Sequence, residues 1–494
     1  MSRRLNKKKD NLHDQIVDFS YWCRTWKANM SMMMKYDGRR LKLSEMKKLM
    51  GAMDQYPWMG EMMKLGHMFS QLGEGRYGAS LEALWLVGLY ATRSAVPAMQ
   101  NLVLEPENTV FVHTMVPNEI FQAMGLKTTR MEQAANSLTM ASQHAEERYL
   151  DAMYSRGLLE NTCTYSTQTP GMVLSGNYPK TCKAIIAAAM PCEAHFEGYS
   201  MMIREMQAPA YWLDLPYDFN DDRNMWAYVE DLKGMIAFLE KETGHTMDWE
   251  KLRYYCENHN KVIRAELERW DYNASNCPTI TDDAVWLSHL QSFHLESSTD
   301  EDVVMMEKIT ELARKAYERK EPCCKNLLYR TVFWSTPLFF YPYFWKWLEE
   351  CWGVVAVMDM ETFGEFTEID TDTPDTMLHD LAVSWCHGTM SRHLRGPAQN
   401  WIDGLDQMVE IFRPDFVINL NHNNCRGHLG MTGYLSEWSR RKKMPVCNIN
   451  ENFYDARICS RQGVRDQVNA FMTNVIHAEP LRPELMVFDD ENDW

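Results

Sequence analysis

The chain has 494 residues, 45% hydrophobic and 24% charged. This is ordinary globular usage; it excludes a disordered, collagen-like or coiled-coil chain and leaves room for about three domains. A formal net charge of −17 makes nucleic acid a poor partner, because binding there begins with phosphate neutralisation.

No run of about 18 uncharged apolar residues is present, so neither a transmembrane helix nor a membrane partner is expected. The greasiest stretch, Thr331 to Trp347, holds Pro337, Pro342 and Lys346 and reads as a buried strand plus a helix. Arg3, Arg4, Lys7, Lys8 and Lys9 form a basic cluster without the apolar core of a signal peptide. The chain is therefore expected to be cytoplasmic. Its 13 cysteines are an odd number, so in a reducing compartment a disulfide framework is not expected. The 37 methionines add many oxidisable side chains and fit a cytoplasm low in oxidants.

Residues 1–92 read as a helical region. Leu43 to Met53 and Tyr56 to Leu72 carry apolar residues, many of them Met, at three- and four-residue spacing. Gly73 to Gly78 spells G-x-G-x-x-G, but a phosphate loop needs a strand before it, and a helical pattern stands there.

Residues 93–221 change character. Thr109 to His113, Cys182 to Met190 and Ala210 to Leu215 are strand-like runs, with a helical pattern from Phe196 to Met206 between the last two. Strand, helix and strand at this spacing predict a parallel α/β unit. Residues 222–325 carry Met225, Val229, Leu232, Ile236 and Leu239 at helical spacing and predict an amphipathic helical connector. In residues 326–494 the α/β pattern returns, with runs at Leu328–Trp334, Val354–Met358, Phe416–Leu420 and Val446–Ile449. The fold class expected is thus α/β, with two Rossmann-like parallel-sheet lobes, an N-terminal helical region and a helical connector.

Three cysteines stand near strand ends or in the loops facing them, where open α/β sheets place their chemistry. Cys192 follows a strand run through Pro191 and opens a helix. Cys425 follows the run ending at Leu420 through Asn421 to Asn424 and also precedes a helix. Cys163 lies in the loop after a helix predicted from Leu138 to Arg156. Helix N-termini favour thiolates. No C-x-x-C pair occurs, so zinc fingers and ordinary ferredoxin spacing are out. Dispersed cysteines meet only if the lobes close on one another, and three thiolates on a four-iron cluster would leave one iron open as a Lewis acid. The commoner fate of a cysteine is a small buried hydrophobe. Cys182, Cys323, Cys324, Cys351, Cys386 and Cys447 are read that way.

From Asn108 to His477 the chain resembles the 2-hydroxyacyl-CoA dehydratase and benzoyl-CoA reductase subunit family. The resemblance rests on ordered segments: Met115-Val-Pro117-Asn-Glu119-Ile120 with Ala123-Met-Gly125; Cys163-Thr-Tyr165; Pro191-Cys192-Glu-Ala-His195-Phe-Glu197-Gly-Tyr199; and Leu213-Asp214-Leu-Pro216-Tyr217. Arg330, Gly353 to Val355 with Asp359, Asp415 to Ile418, Asn424-Cys425, Pro445 to Asp455 and Val464 to Phe471 complete it. Glu193 stands after Cys192 where many members carry Asp, and the long N-terminal region looks like the larger subunit type.

The resemblance implies a 4Fe–4S cluster held by Cys163, Cys192 and Cys425, with the fourth iron open. It also implies a related second subunit, an ATP-hydrolysing iron–sulfur activator and an acyl-CoA substrate. The reaction implied is loss of water from a 2-hydroxyacyl-CoA through a ketyl radical, in an oxygen-sensitive enzyme. A reductase of the same family, and a non-catalytic partner subunit, are the rival readings. His195 and Glu197, in the first turns after Cys192, are the candidate acid–base residues, with a purely structural role equally open. His422 and Asn424 beside Cys425 carry the same two readings, and Asp214 before Pro216 reads as structural.

Overall fold

The computed structural model describes residues 12–61, 69, 72–73, 76–141, 144–295, 298–388 and 390–490. Helix α1 (Leu12–Met33) leads through a small hairpin, β1 (Lys35–Tyr36) and β2 (Arg39–Arg40), into α2 (Leu43–Gln55). The hairpin interrupts a region expected to be helical throughout. Asp37 and Gly38 at its tip both have positive φ, the backbone a two-residue turn requires. Long α3 (Gly78–Leu104) follows, buried over most of its length. The helical pattern expected up to Leu72 lies mostly outside the described residues from Met62 onward, as do Glu74 and Gly75 of the glycine pattern; Gly78 opens α3.

The first sheet is built from β3 (Thr109–Val112), α4 (Asn118–Ala123), β4 (Lys127–Arg130), α5 (Gln133–Ala141), α6 (Glu147–Tyr154), α7 (Gln168–Leu174), β5 (Ala184–Ala188), α8 (Glu193–Met206) and β6 (Ala210–Leu213). All four strands are parallel, in the order β4-β3-β5-β6. Strand β4 is Lys-Thr-Thr-Arg, an edge strand with half-buried Lys127 and Thr128, so no apolar run announces it. The single helix expected from Leu138 to Arg156 is two helices, α5 and α6, with a turn at His144–Glu146 between them. Cys182, expected inside a strand run, sits ahead of β5 and is half-buried.

Helices α9 (Asp222–Thr243), α10 (Trp249–Ala274), α11 (Asp282–His289) and α12 (Asp300–Glu318) form the connector. The second sheet comprises β7 (Tyr329–Trp334), α13 (Phe344–Trp352), β8 (Val354–Asp359), α14 (Pro374–His387), α15 (Ala398–Phe412), β9 (Phe416–His422), α16 (Arg426–Gly430), α17 (Thr432–Lys442), β10 (Val446–Glu451) and α18 (Arg461–Phe471). It too is parallel, in the order β8-β7-β9-β10. Each lobe therefore runs second strand, first, third, fourth, and the two lobes share one topology.

Both sheets are covered on both faces, as parallel sheets must be. Alternate residues part accordingly. Val110, Val112, Ala184 and Ile186 face α9 and α14, whereas Phe111, Ile185 and Ala187 pack with Trp58, Tyr199 and Met202. Helix α14 follows a strand of the second sheet yet contributes Met377, Leu378 and Leu381 to the core of the first. No described helix is long and apolar enough to cross a membrane.

Candidate functional site

In an open α/β sheet a crevice forms where strand order reverses, beyond the carboxyl ends of the strands. Here those points lie between β3 and β5 and between β7 and β9. Cys192 follows β5 and is the N-cap of α8; Cys425 follows β9 and is the N-cap of α16. The two thus hold equivalent places, each after the third strand of its lobe. Each is followed three residues on by a buried histidine, His195 and His428. Cys163 arrives on the loop between α6 and α7 and precedes a single 3-10 turn, Thr164–Ser166.

The three cysteines, with Thr162, Glu193, Asn424 and Arg426, line one cavity between the lobes. Cross-lobe hydrogen bonds hold it together. Asn424 Nδ2 donates to Glu160 O (2.8 Å) and Thr162 O (3.3 Å), and Thr164 Oγ1 donates to Asn452 Oδ1 (2.7 Å). Tyr454 Oη donates to Asn136 Oδ1 (2.7 Å), and at the rim Arg426 pairs with the exposed Glu193 at 3.2 Å.

The backbone N–H of His428 donates to Cys425 Sγ at 3.3 Å. Such donors favour thiolate, as the helix-terminus argument expects, but burial outweighs them. It pushes Cys192 up to about 12 and Cys425 up to about 11. Burial also raises Cys163 well above its ordinary value, and the neighbouring Cys425 and Cys192 raise it further. With no metal bound these sulfurs are thiols. As a set they are three soft donors converging on one point, the chemistry thiophilic metals select.

Histidines stand behind the sulfurs. His422 Nδ1 accepts from Phe453 N (3.4 Å), so the neutral ring carries its proton on Nε2, which lies 3.6 Å from Cys163 Sγ. Burial holds His422 at about 3, hence neutral. His195 Nδ1 lies 3.7 Å from Cys192 Sγ, and its ring packs against His113, Tyr165 and Tyr199. Burial keeps His195 neutral too, at about 3. Glu197 is half-buried; its Oε2 accepts from Thr162 Oγ1 at 3.5 Å, and it does not line the cavity. Asp214 pairs with Arg395 at 2.8 Å.

Sequence reasoning did not single out Glu132. It is fully buried, accepts from Thr114 N (3.1 Å) and Tyr199 Oη, and faces His113 Nε2 at 3.3 Å. Burial raises its carboxyl above the usual range. His113, Glu132 and His195 lie close enough to suggest a metal pocket. However, His113 Nδ1 accepts from Met115 N at 3.0 Å, which leaves the proton of the neutral ring on Nε2, toward Glu132. A hydrogen-bonded stack fits that tautomer better than a ligand set. The only sequence signal for it was His113 at the end of a strand run. Cys323 and Cys324 lie buried against Trp334 and Val355 rather than in the cavity, and Cys351, Cys386 and Cys447 are core residues.

The model of the 2-hydroxyglutaryl-CoA dehydratase D-component family matches residues 113–475. The chain belongs to that family. The dehydratase match begins at His113, takes in all three cavity cysteines and every strand of both sheets except β3, and leaves α1–α3 outside. No curated protein matches the chain.

Proposed function

We propose that this chain is the iron–sulfur subunit of an oxygen-sensitive 2-hydroxyacyl-CoA dehydratase. In this reading Cys163, Cys192 and Cys425 hold a 4Fe–4S cluster. The observation that carries it is the meeting of these three thiols, from two lobes, in one cavity. Among the described residues no fourth cysteine lines that cavity, which supports a cluster with one iron open to substrate. When bound, the cluster would supply a low-potential electron and a Lewis-acid iron.

The substrate, an (R)-2-hydroxyacyl-CoA, gains one electron at its thioester carbonyl, and the resulting ketyl radical expels the 2-hydroxyl with a proton as water. Loss of a further proton and return of the electron leave the 2-enoyl-CoA. The electron comes from an ATP-driven iron–sulfur activator, and a related second subunit completes the enzyme. The chain's own residues hold and tune the centre. His422 Nε2 and His195 Nδ1 stand against the sulfurs of Cys163 and Cys192, and such outer partners set ligand orientation and potential. Tyr199 Oη donates to the buried Glu132 carboxyl in a water-excluded layer behind His195.

Anaerobic purification with the partner, followed by iron and sulfide analysis, tests this reading. Cys163→Ser, Cys192→Ser and Cys425→Ser should each lose most of the iron, and Cys323→Ser should keep it. Full iron retention in Cys192→Ser overturns the ligand assignment. An iron-replete enzyme whose product is reduced by two electrons points instead to a reductase.

A further inference from the structure

Helix α1 carries its apolar residues on the outside. Leu12, Ile16, Phe19, Trp22, Trp26 and Met30 recur at three- and four-residue spacing. At 3.6 residues per turn they fall within an arc of about 120° and form a stripe about 27 Å long. All six are exposed, Leu12 at 70%, Phe19 at 66% and Trp26 at 58%. The opposite face holds the polar groups and packs on α3. Asp14 Oδ1 accepts from Gly78 N at 3.3 Å, Asp18 Oδ1 accepts from Trp85 Nε1 at 2.8 Å, and Thr25 is buried. A helix lying on a globular surface normally shows the reverse arrangement. A contiguous exposed apolar stripe of this kind marks an interaction surface. It lies wholly outside the matched residues 113–475, and nothing in the proposed dehydratase chemistry uses it.

Charge decides what covers it. The first 34 residues hold seven Lys or Arg against three Asp, in a chain of net charge −17. Arg3, Arg4, Lys7, Lys8 and Lys9 immediately precede α1 in the sequence, and Lys27 is exposed one residue after Trp26. Two of the three acids, Asp14 and Asp18, are bonded to α3. A second copy of the chain would cover the apolar residues but would set cations against cations, with the acids of the helix turned inward. An anionic lipid surface answers both features. Its acyl boundary takes the apolar side chains, and its headgroups take the cations. Trp22 and Trp26 suit that depth, because indole joins an apolar ring to a polar N–H.

We propose that α1 seats the chain on an anionic membrane surface, its apolar stripe in the headgroup–acyl boundary and the basic segment before it on the phosphates. The absence of a spanning segment, which argued against a membrane partner, does not bear on a helix lying in the interface plane. The test is co-sedimentation of the full chain with vesicles of phosphatidylglycerol and phosphatidylcholine in equal parts, or of phosphatidylcholine alone. The chain should pellet with the anionic vesicles, bind the neutral ones more weakly by about ten-fold or more, and be released as salt rises. Trp22→Gln with Trp26→Gln should weaken binding by about ten-fold or more through lost apolar burial. Their melting temperature should stay that of the parent, since both rings are exposed. Lys7→Ala, Lys8→Ala and Lys9→Ala together should weaken binding roughly a hundred-fold, whereas Lys442→Ala with Lys443→Ala should leave it unchanged. Independently of any variant, anionic vesicles should shield Lys27 of the parent chain from acetylation, read by mass spectrometry, and leave Lys443 unshielded.

No pelleting with anionic vesicles, no shielding of Lys27, or a tryptophan variant that binds as the parent does would each overturn the proposal. An equal loss on changing Lys442 and Lys443 would reduce the binding to general surface charge and overturn it too. Binding by the chain alone that is lost in complex with the second subunit would make the stripe a subunit contact. A lipid-free dimer that the tryptophan variant dissolves, without vesicle binding, would make it a contact between copies. Either result refutes the membrane assignment.

Discussion

At Cys192 two effects oppose each other. Backbone N–H groups of Ala194 and His195 favour the thiolate, and burial favours the thiol; burial wins, at about 12. Metal must therefore displace protons from all three sulfurs, so binding releases protons and strengthens as pH rises. Iron loading of the metal-free chain, followed anaerobically by absorbance, should be clearly weaker at about pH 6 than at about pH 8.5. Glu146, which does not line the cysteine cavity, offers a separate pH test. It is fully buried, and burial raises its carboxyl from 4.5 to about 8. Between those values the folded chain holds a proton that the unfolded chain has lost. The stabilisation is complete at acid pH and fades as pH rises through the folded value. Glu146→Gln, neutral throughout, should flatten that slope. Relative to the parent it should melt higher at about pH 8, by an amount on the order of a few kcal/mol, and almost equally at about pH 4.

Helix α8 carries Cys192 at its N-cap and rests on the loop that carries Cys163. The approach is so close at Gly198 that an added Cβ would lie 2.2 Å from the Ser166 carbonyl oxygen. Backbone cannot yield there as a flexible side chain would, so Gly198→Ala must push α8 from the loop. Overpacking of this kind costs about 1–3 kcal/mol. The variant should unfold at lower denaturant concentration and also retain less iron, although no sulfur is touched. Normal iron content in a destabilised Gly198→Ala would mean that the spacing of α8 and the loop does not set the site. The element most easily missed in the sequence is β4. Its Lys-Thr-Thr-Arg has no apolar run, because an edge strand half open to solvent needs none. It nevertheless delivers Glu132 behind His195.

Between lobes, Asn424, Thr164 and Tyr454 make buried or half-buried hydrogen bonds across the gap, whereas the Arg426–Glu193 pair is exposed and contributes little. One cavity with three sulfurs and no phosphate-binding loop among the described residues would account for only part of the reaction proposed above, which calls for an energised electron. An anaerobic assay with a 2-hydroxyacyl-CoA should therefore require this chain, its partner, an activator, ATP and a strong reductant. Activator well below one per enzyme should suffice, since the electron returns after each turnover. Omitting components one at a time checks this, and turnover by this chain alone without ATP would refute it.

Most strands of both sheets, the helical connector and the placing of Cys192 and Cys425 at strand ends were legible in the sequence. Apolar runs and helical spacing are local patterns, and the runs at β3, β5, β8 and β9 become strands buried on both faces, whereas those at β6 and β10 become partly exposed edges. Which sulfurs meet was not local. Cys163, Cys192 and Cys425 share a cavity only because the lobes dock through Asn424 and Asn452, residues far from Cys163 in the chain. The same docking buries the thiols, reversing the tilt toward thiolate that a helix N-terminus suggests. It also puts α14 into the core of the first sheet and sets Glu132 beside His113. Desolvation depends on neighbours brought together from distant segments, and no spacing along one chain records it.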